Sequence, residues 1–184
     1  ATTTYTYSGG LYDKLEKRHL GFRYVKETLP CIDGETQCPY VETWFNQSYG
    51  SASEIDEEKS RAGNGTLLRY MKNEYANNGS TTPYTSKLTG NWTYVYDGTN
   101  AACSSWPCTN AKRIRTEWVY DAYDNITHTT TYGDYDVAGD EKTEYVSYSP
   151  NTSAYILSLP GQKSTYHGIG TGGSLLAQKL MEYD

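Results

Sequence analysis

The usual core formers are scarce. The 184-residue chain holds 12 Leu, 6 Ile, 6 Val and 2 Phe, about 14% of its residues, a share typical of chains too poor in apolar surface to fold. Against this stand 20 Tyr and 4 Trp. A packed aromatic ring buries roughly 150–250 Å², so rings can replace aliphatic side chains as the apolar material. Tyr, Trp and Thr also favour pleated, half-buried surfaces. The composition therefore predicts an ordered, all-β chain whose packed face is rich in Tyr.

Periodicity supports this. Residues 2–7, TTTYTY, alternate Thr and Tyr with period two, the pattern of a strand with one aromatic face. The following SGG at 8–10 reads as a turn. Further strands are expected at 19–25 (HLGFRYV), 40–49 (YVETWFNQSY), 91–97 (NWTYVYD), 113–121 (RIRTEWVYD), 143–148 (TEYVSY), 154–159 (AYILSL) and 164–168 (STYHG). Two stretches admit either period. Residues 66–76 (TLLRYMKNEYA) and 174–184 (SLLAQKLMEYD) each place apolar residues at helical spacing. Strand is preferred for both, because RAGNGT precedes the first as a turn and the second ends like the strands before it. Short strands joined by turns predict a meander of antiparallel hairpins forming a strip. No linker divides it, so residues 1–184 are read as a single unit.

A Tyr-Asp pair recurs at Tyr12-Asp13, Tyr96-Asp97, Tyr120-Asp121, Tyr135-Asp136 and Tyr183-Asp184. Adjacent strand residues face opposite sides. The pair thus places a ring on the packed face and a carboxylate outward or into the turn. There the carboxylate accepts hydrogen bonds from backbone amides two or three residues on. Repetition of such a unit makes a strip of hairpins whose neighbours share their faces.

YDAYDNIT at 120–127 resembles the motif of the RHS or YD-repeat proteins, with Asp124 where that family prefers Gly and with Asn125 retained. RAGNGTLL at 61–68 keeps Gly63, Asn64 and Thr66 of the same motif without a Tyr-Asp before it. YSGGLYDKLEKRHLGFRYV at 7–25, with Gly21-Phe22 in its second half, resembles a segment of the larger members related to the B component of bacterial insecticidal toxin complexes. The resemblance implies a structural role. In that family a long β-strip spirals into a shell around a C-terminal toxin or effector. It implies that this chain is a length of wall from a longer polypeptide, secreted or at a bacterial cell surface. Its partners are then the rest of that polypeptide and the enclosed effector. The opening ATTTYTYSGG has no initiator Met and no signal-peptide pattern, and the chain halts on Tyr183-Asp184, both as expected of an excised segment.

Other chemistry is weakly supported. Net charge is −6, and the one basic cluster, Lys112-Arg113-Arg115, fits a solvated strand edge better than a phosphate-binding groove. No apolar run approaches the ~20 residues of a membrane helix. His19, His128 and His167 are far apart and lack metal-ligand spacing. HGIGTGGS at 167–174 lacks the Lys of a phosphate loop, and DVAGDE at 136–141 lacks the ligand spacing of a calcium loop. Both read as turns. No catalytic, cofactor or metal residues are assigned. The cysteines form two local pairs, Cys31…Cys38 and Cys103…Cys108. Each pair is either two thiols or a disulfide pinching a hairpin tip. Six Asn-x-Ser/Thr triplets begin at Asn46, Asn64, Asn78, Asn91, Asn125 and Asn151, relevant only in a host that glycosylates them. The rival reading is a secreted carbohydrate-binding module that stacks exposed Tyr and Trp on glycans. A third is self-association through open edge strands.

Overall fold

The computed structural model describes residues 2–96 and 111–183. Apart from one short 3-10 turn, its regular structure is β, arranged as two compact units that divide between Arg113 and Ile114.

The first unit contains β1 (Thr4–Asp13), β2 (Arg18–Thr28), β3 (Tyr40–Phe45), β4 (Ile55–Arg61), β5 (Leu67–Asn78) and β6 (Thr85–Val95). Each strand pairs antiparallel with the next, the simplest solution for strands joined by short turns. Register lines run straight across it: Tyr24 opposes Trp44, Trp44 opposes Glu57, Glu57 opposes Lys72 and Lys72 opposes Trp92. The next line on the same face is Lys26, Glu42, Lys59, Tyr70 and Tyr94. The core is aromatic, with Leu67, Tyr70, Tyr94 and Tyr96 buried together and Trp92 and Ala111 packed against them.

The second unit contains β7 (Lys112–Tyr120), whose first two residues precede the division, β8 (Ile126–Thr131), β9 (Lys142–Tyr148), β10 (Pro160–His167) and β11 (Leu175–Leu180). It too is an antiparallel meander. Its buried side chains are hydroxyls: Thr130, Thr143 and Ser164. They satisfy one another and nearby groups, as buried polar groups must. Thr143 Oγ1 donates to Gly168 O at 2.9 Å and accepts from Gly170 N at 2.8 Å, and Ser164 Oγ accepts from Gln162 Nε2 at 2.8 Å.

The expected meander of hairpins is the fold observed. Both ambiguous stretches are strands, β5 and β11. Two local expectations fail, and one strand was not anticipated. SGG at 8–10 lies inside β1 and is not a turn. Gly9 has φ +67° and a Cβ there would sit 2.7 Å from Arg23 Cβ, so glycine lets the strand continue through a close approach and an irregular register. AYILSL at 154–159 is not a strand. Asn151 Oδ1 accepts from Ala154 N at 3.1 Å, and Tyr155 turns left-handed at φ 57°. The local hydrogen bonds of Asn151 thus outcompete the apolar pattern. The charged run IDEEKSR, not expected to be a strand at all, is β4.

One polar atom in the aromatic core is unsatisfied. Tyr96 is only 6% exposed, and its hydroxyl has no hydrogen-bond partner among the described residues. Burial pushes its phenol up to about 12. Tyr96→Phe is therefore expected to leave stability unchanged or raise it by up to about 1 kcal/mol, since an unsatisfied buried hydroxyl is removed. Urea unfolding measures this; a loss above about 1 kcal/mol would show that the hydroxyl has a partner.

Candidate functional site: a lattice of rings and carboxylates

The most organised chemistry lies in the pairing of phenols with carboxylates on neighbouring strands. Tyr24 donates to Glu42 Oε1 at 3.0 Å, Tyr70 to Glu57 Oε2 at 2.8 Å, Tyr5 to Glu27 Oε1 at 2.9 Å and, in the second unit, Tyr132 to Glu117 Oε2 at 2.6 Å. Tyr49 donates to Asp13 Oδ2. Cations fill the remaining places. Lys26 stands 3.7 Å from the Tyr40 ring centre, Lys59 lies 4.6 Å from Trp44 and 5.1 Å from Tyr70, and Arg61 pairs with Glu42 at 2.7 Å. Tyr24 and Trp44 pack with ring centres 5.1 Å apart. Each ring offers an apolar body, a donor and a face for a cation. A chain short of aliphatics thereby builds cohesion across strands by cross-strand pairs.

The electrostatics follow. Burial first, then the Glu42 carboxylate, pushes Tyr24 up to about 12. Tyr132 is pushed up to about 12 by burial and Glu117, and Tyr49 to about 12 by its hydrogen bond to Asp13. Tyr70 is raised as well, by burial and then Glu57. For Glu117, burial works to raise the carboxyl, but the Tyr132 phenol and Arg115 guanidinium overcome it and hold it below its ordinary value. A phenol whose folded value exceeds its unfolded 10.0 holds its proton more tightly in the native state. That contribution is complete below pH 10 and is lost as pH rises through the folded values near 12. Alkaline titration is expected to show a late-ionising fraction of the tyrosines, Tyr24, Tyr49 and Tyr132 among them, whose ionisation accompanies loss of the β signal. Ionisation of Tyr24, Tyr49 and Tyr132 at their free value with the β signal intact would contradict the lattice.

The repeat residues occupy several kinds of place. Asp13 ends β1, and its Oδ1 accepts from Leu15 N at 2.7 Å and Glu16 N at 2.9 Å. The Tyr49 phenol first, then the Glu16 amide, hold its carboxyl below the ordinary value. Tyr12 beside it is half exposed. Asp121 follows the end of β7, and its Oδ1 accepts from Tyr123 N at 2.8 Å and Asn125 N at 2.9 Å. Its Oδ2 accepts from Asn125 Nδ2 at 2.9 Å, which also donates to Leu157 O at 2.9 Å. Tyr120 opposes Ile126 across this hairpin, and Asp124 takes the left-handed place at φ 67°. Asp121→Ala is expected to cost the second unit about 2 kcal/mol and speed amide exchange at Tyr123 and Asn125, with Asp121→Asn retaining about half. Unaltered exchange at both amides would remove the carboxylate from the turn's support.

Gly21 has φ +87° and its carbonyl accepts from Gln47 Nε2 at 2.9 Å, the same amide reaching Gly9 O at 2.7 Å. Phe22 packs on Tyr7, ring centres 5.1 Å apart. Asn64 Oδ1 accepts from Thr66 N at 3.0 Å beside Gly63. Tyr135 and Asp136 lie within the β8–β9 connection, with Tyr135 against Tyr132 at 5.4 Å and Asp136 N on Asp134 Oδ1 at 3.4 Å. Tyr183 donates to Pro160 O at 2.9 Å. Cys31 and Cys38 form a disulfide with Cα atoms 4.4 Å apart. Asp97, Cys103, Cys108, Trp106 and Asp184 lie outside the described residues. The three histidines are not brought together: each bonds or packs locally, His19 with Gly21 N, His128 with Thr127 and Tyr145, His167 with Gly139 O. Among the described residues no group of three His, Cys, Asp or Glu is placed to hold a metal, and no helix is long and apolar enough to cross a membrane. Sequence reasoning missed the partner carboxylates Glu27, Glu42, Glu57 and Glu117. Their signal was present only as the register of distant strands.

No protein-family model matches the chain, and no curated protein matches it in sequence. Solved structures do match. The crystal structure of TcdB2-TccC3-TEV superposes on 90% of this chain with a TM-score of 0.63 at 11% identity. That of TcdB2-TccC3 without its hypervariable C-terminal region covers 94%, TM-score 0.63 at 11% identity. The Photorhabdus luminescens Tc holotoxin pore covers 90%, TM-score 0.62 at 9% identity. The chain spans only 12% of the length of each of these chains. Its fold is thus that of a stretch of β structure in toxin-complex chains, the class that the Tyr-Asp motifs resemble.

Proposed function

We propose that this chain is a structural segment of a YD-repeat toxin-complex polypeptide, one length of a β-shell wall that encloses a C-terminal toxin or effector, and that it performs no catalysis itself. The observation that carries this reading is the combination of high coverage of this chain with low coverage of its structural neighbours, 90% against 12%. A meander of successive hairpins extends by adding further strands at its ends. β1 and β11 each have a single paired neighbour within their units and are exposed along nearly their whole length, a condition that continuing strands relieve. The Tyr–carboxylate lattice supports a load-carrying role, since its chemistry is spent within the sheet. The partners are then the remainder of the polypeptide and its enclosed segment, and the location is outside the bacterial cytoplasm.

Single-particle imaging of the full-length polypeptide tests this. The reading requires these residues within the closed wall of a hollow particle, with the C-terminal segment protected from added protease. Finding them as a separate domain outside any enclosure would overturn it.

A further inference from the structure

We propose that one face of the second unit binds a neutral saccharide, in a hollow of about 280 Å³ lined by Thr129, Thr131, Lys142, Glu144 and Thr165 and flanked by Trp118. The proposal stands apart from the shell reading and does not need it.

The two faces of this unit treat their hydroxyls differently. On one, Thr130, Thr143 and Ser164 are buried and hydrogen-bonded, the two threonines to each other and Ser164 to Gln162. On the other, register places Trp118 opposite Thr129, Thr129 opposite Glu144 and Glu144 opposite Thr165, in one line across four strands. The adjacent line holds Thr131 opposite Lys142. Directly opposed residues share a face, so these side chains stand together around the hollow. The hydroxyls of Thr129, Thr131 and Thr165, the Lys142 ammonium and the Trp118 indole N–H make no side-chain hydrogen bond among the described residues. Glu144 is held at the rim by Lys163 at 2.7 Å.

The inventory selects the ligand. Threonine hydroxyls both donate and accept, the ammonium only donates and the carboxylate only accepts. A ligand presenting many hydroxyls matches that mixture. A simple anion does not, because Glu144 faces it beside Lys142. Trp118 supplies a partly exposed ring for the C–H face of a pyranose. The other described tryptophans are committed: Trp44 lies between Tyr24 and Lys59, and Trp92 packs on Tyr94 and donates to Glu74 at 3.2 Å. Of the described indoles, Trp118 is the one free to meet a sugar.

The test uses the full chain on an array of neutral oligosaccharides of the glucose, galactose, mannose and N-acetylhexosamine series, with sialylated glycans as an anionic arm. Calorimetry then follows with the best neutral binder. A neutral oligosaccharide is expected to bind independently of salt. Trp118→Ala and the nearly isosteric Thr129→Val are each expected to weaken it roughly tenfold, while Trp118→Phe keeps it within about threefold. Circular dichroism of each variant confirms the fold. The proposal is overturned by absence of any neutral binder, by binding that survives both substitutions, or by binding confined to sialylated glycans and abolished by salt.

Discussion

Gly63→Ala is expected to destabilise the first unit by about 3 kcal/mol, at the upper end of what overpacking usually costs. A Cβ at Gly63 would lie 1.8 Å from the carbonyl oxygen of Gln37 and 2.5 Å from its carbon. Both are backbone atoms, and neither side of the contact is free to yield. Gln37 lies in the loop closed by the Cys31–Cys38 disulfide and by Leu29 N on Pro39 O at 2.9 Å. Gly63 lies in a turn held by Ala62 N on Thr66 O and Gly65 N on Ala62 O, both at 2.9 Å. Urea unfolding supplies the measurement. Opening the loop with Cys31→Ser and Cys38→Ser costs about 2.5 kcal/mol by the loop-entropy model. In that background the Gly63→Ala penalty should shrink by about 1 kcal/mol, because the released loop can move away. A penalty below about 0.5 kcal/mol in the oxidised protein would show that the two loops do not pack as described.

Tyr94→Ala is expected to cost about 3–5 kcal/mol, the range for removing a large buried ring. Tyr94 is 1% exposed, stacks on Tyr70 with ring centres 5.9 Å apart and meets Trp92 at 6.0 Å. It shares its cluster with Leu67, Tyr70 and Tyr96. Tyr155→Ala provides the contrast. Tyr155 is 87% exposed, so its loss should fall within about 0.5 kcal/mol of zero. Equal unfolding midpoints for the two variants would refute an aromatic core.

Much of the fold was legible because its signals are local. The alternation of TTTYTY, the turn formers around Asp13 and Asp121, and the Tyr and Thr content each act within a few residues. Asp13 and Asp121 accept amides two to four residues on, which short-range stereochemistry suffices to predict. The charged strand β4 was illegible for the opposite reason. Asp56, Glu57, Glu58 and Lys59 show no alternation of apolar and polar residues. They become strand residues because Arg23, Lys72, Tyr70, Arg69 and the Trp44 ring, from three other strands, meet them. AYILSL failed the other way: its apolar run predicts burial, but Tyr155 and Ile156 are exposed in a connection organised by Asn151.

By itself, then, the sequence determined that the chain is β, that it turns often and that rings hold it together. Those outcomes depend on residue type, spacing and nearest neighbours. Only the tertiary structure decided which phenol meets which carboxylate, that the two cysteines at 31 and 38 join, and that Trp118 shares a face with Thr129 and Glu144. The phenol pairings and the Trp118 face are matters of strand register, and a shift of one residue turns every side chain to the opposite face.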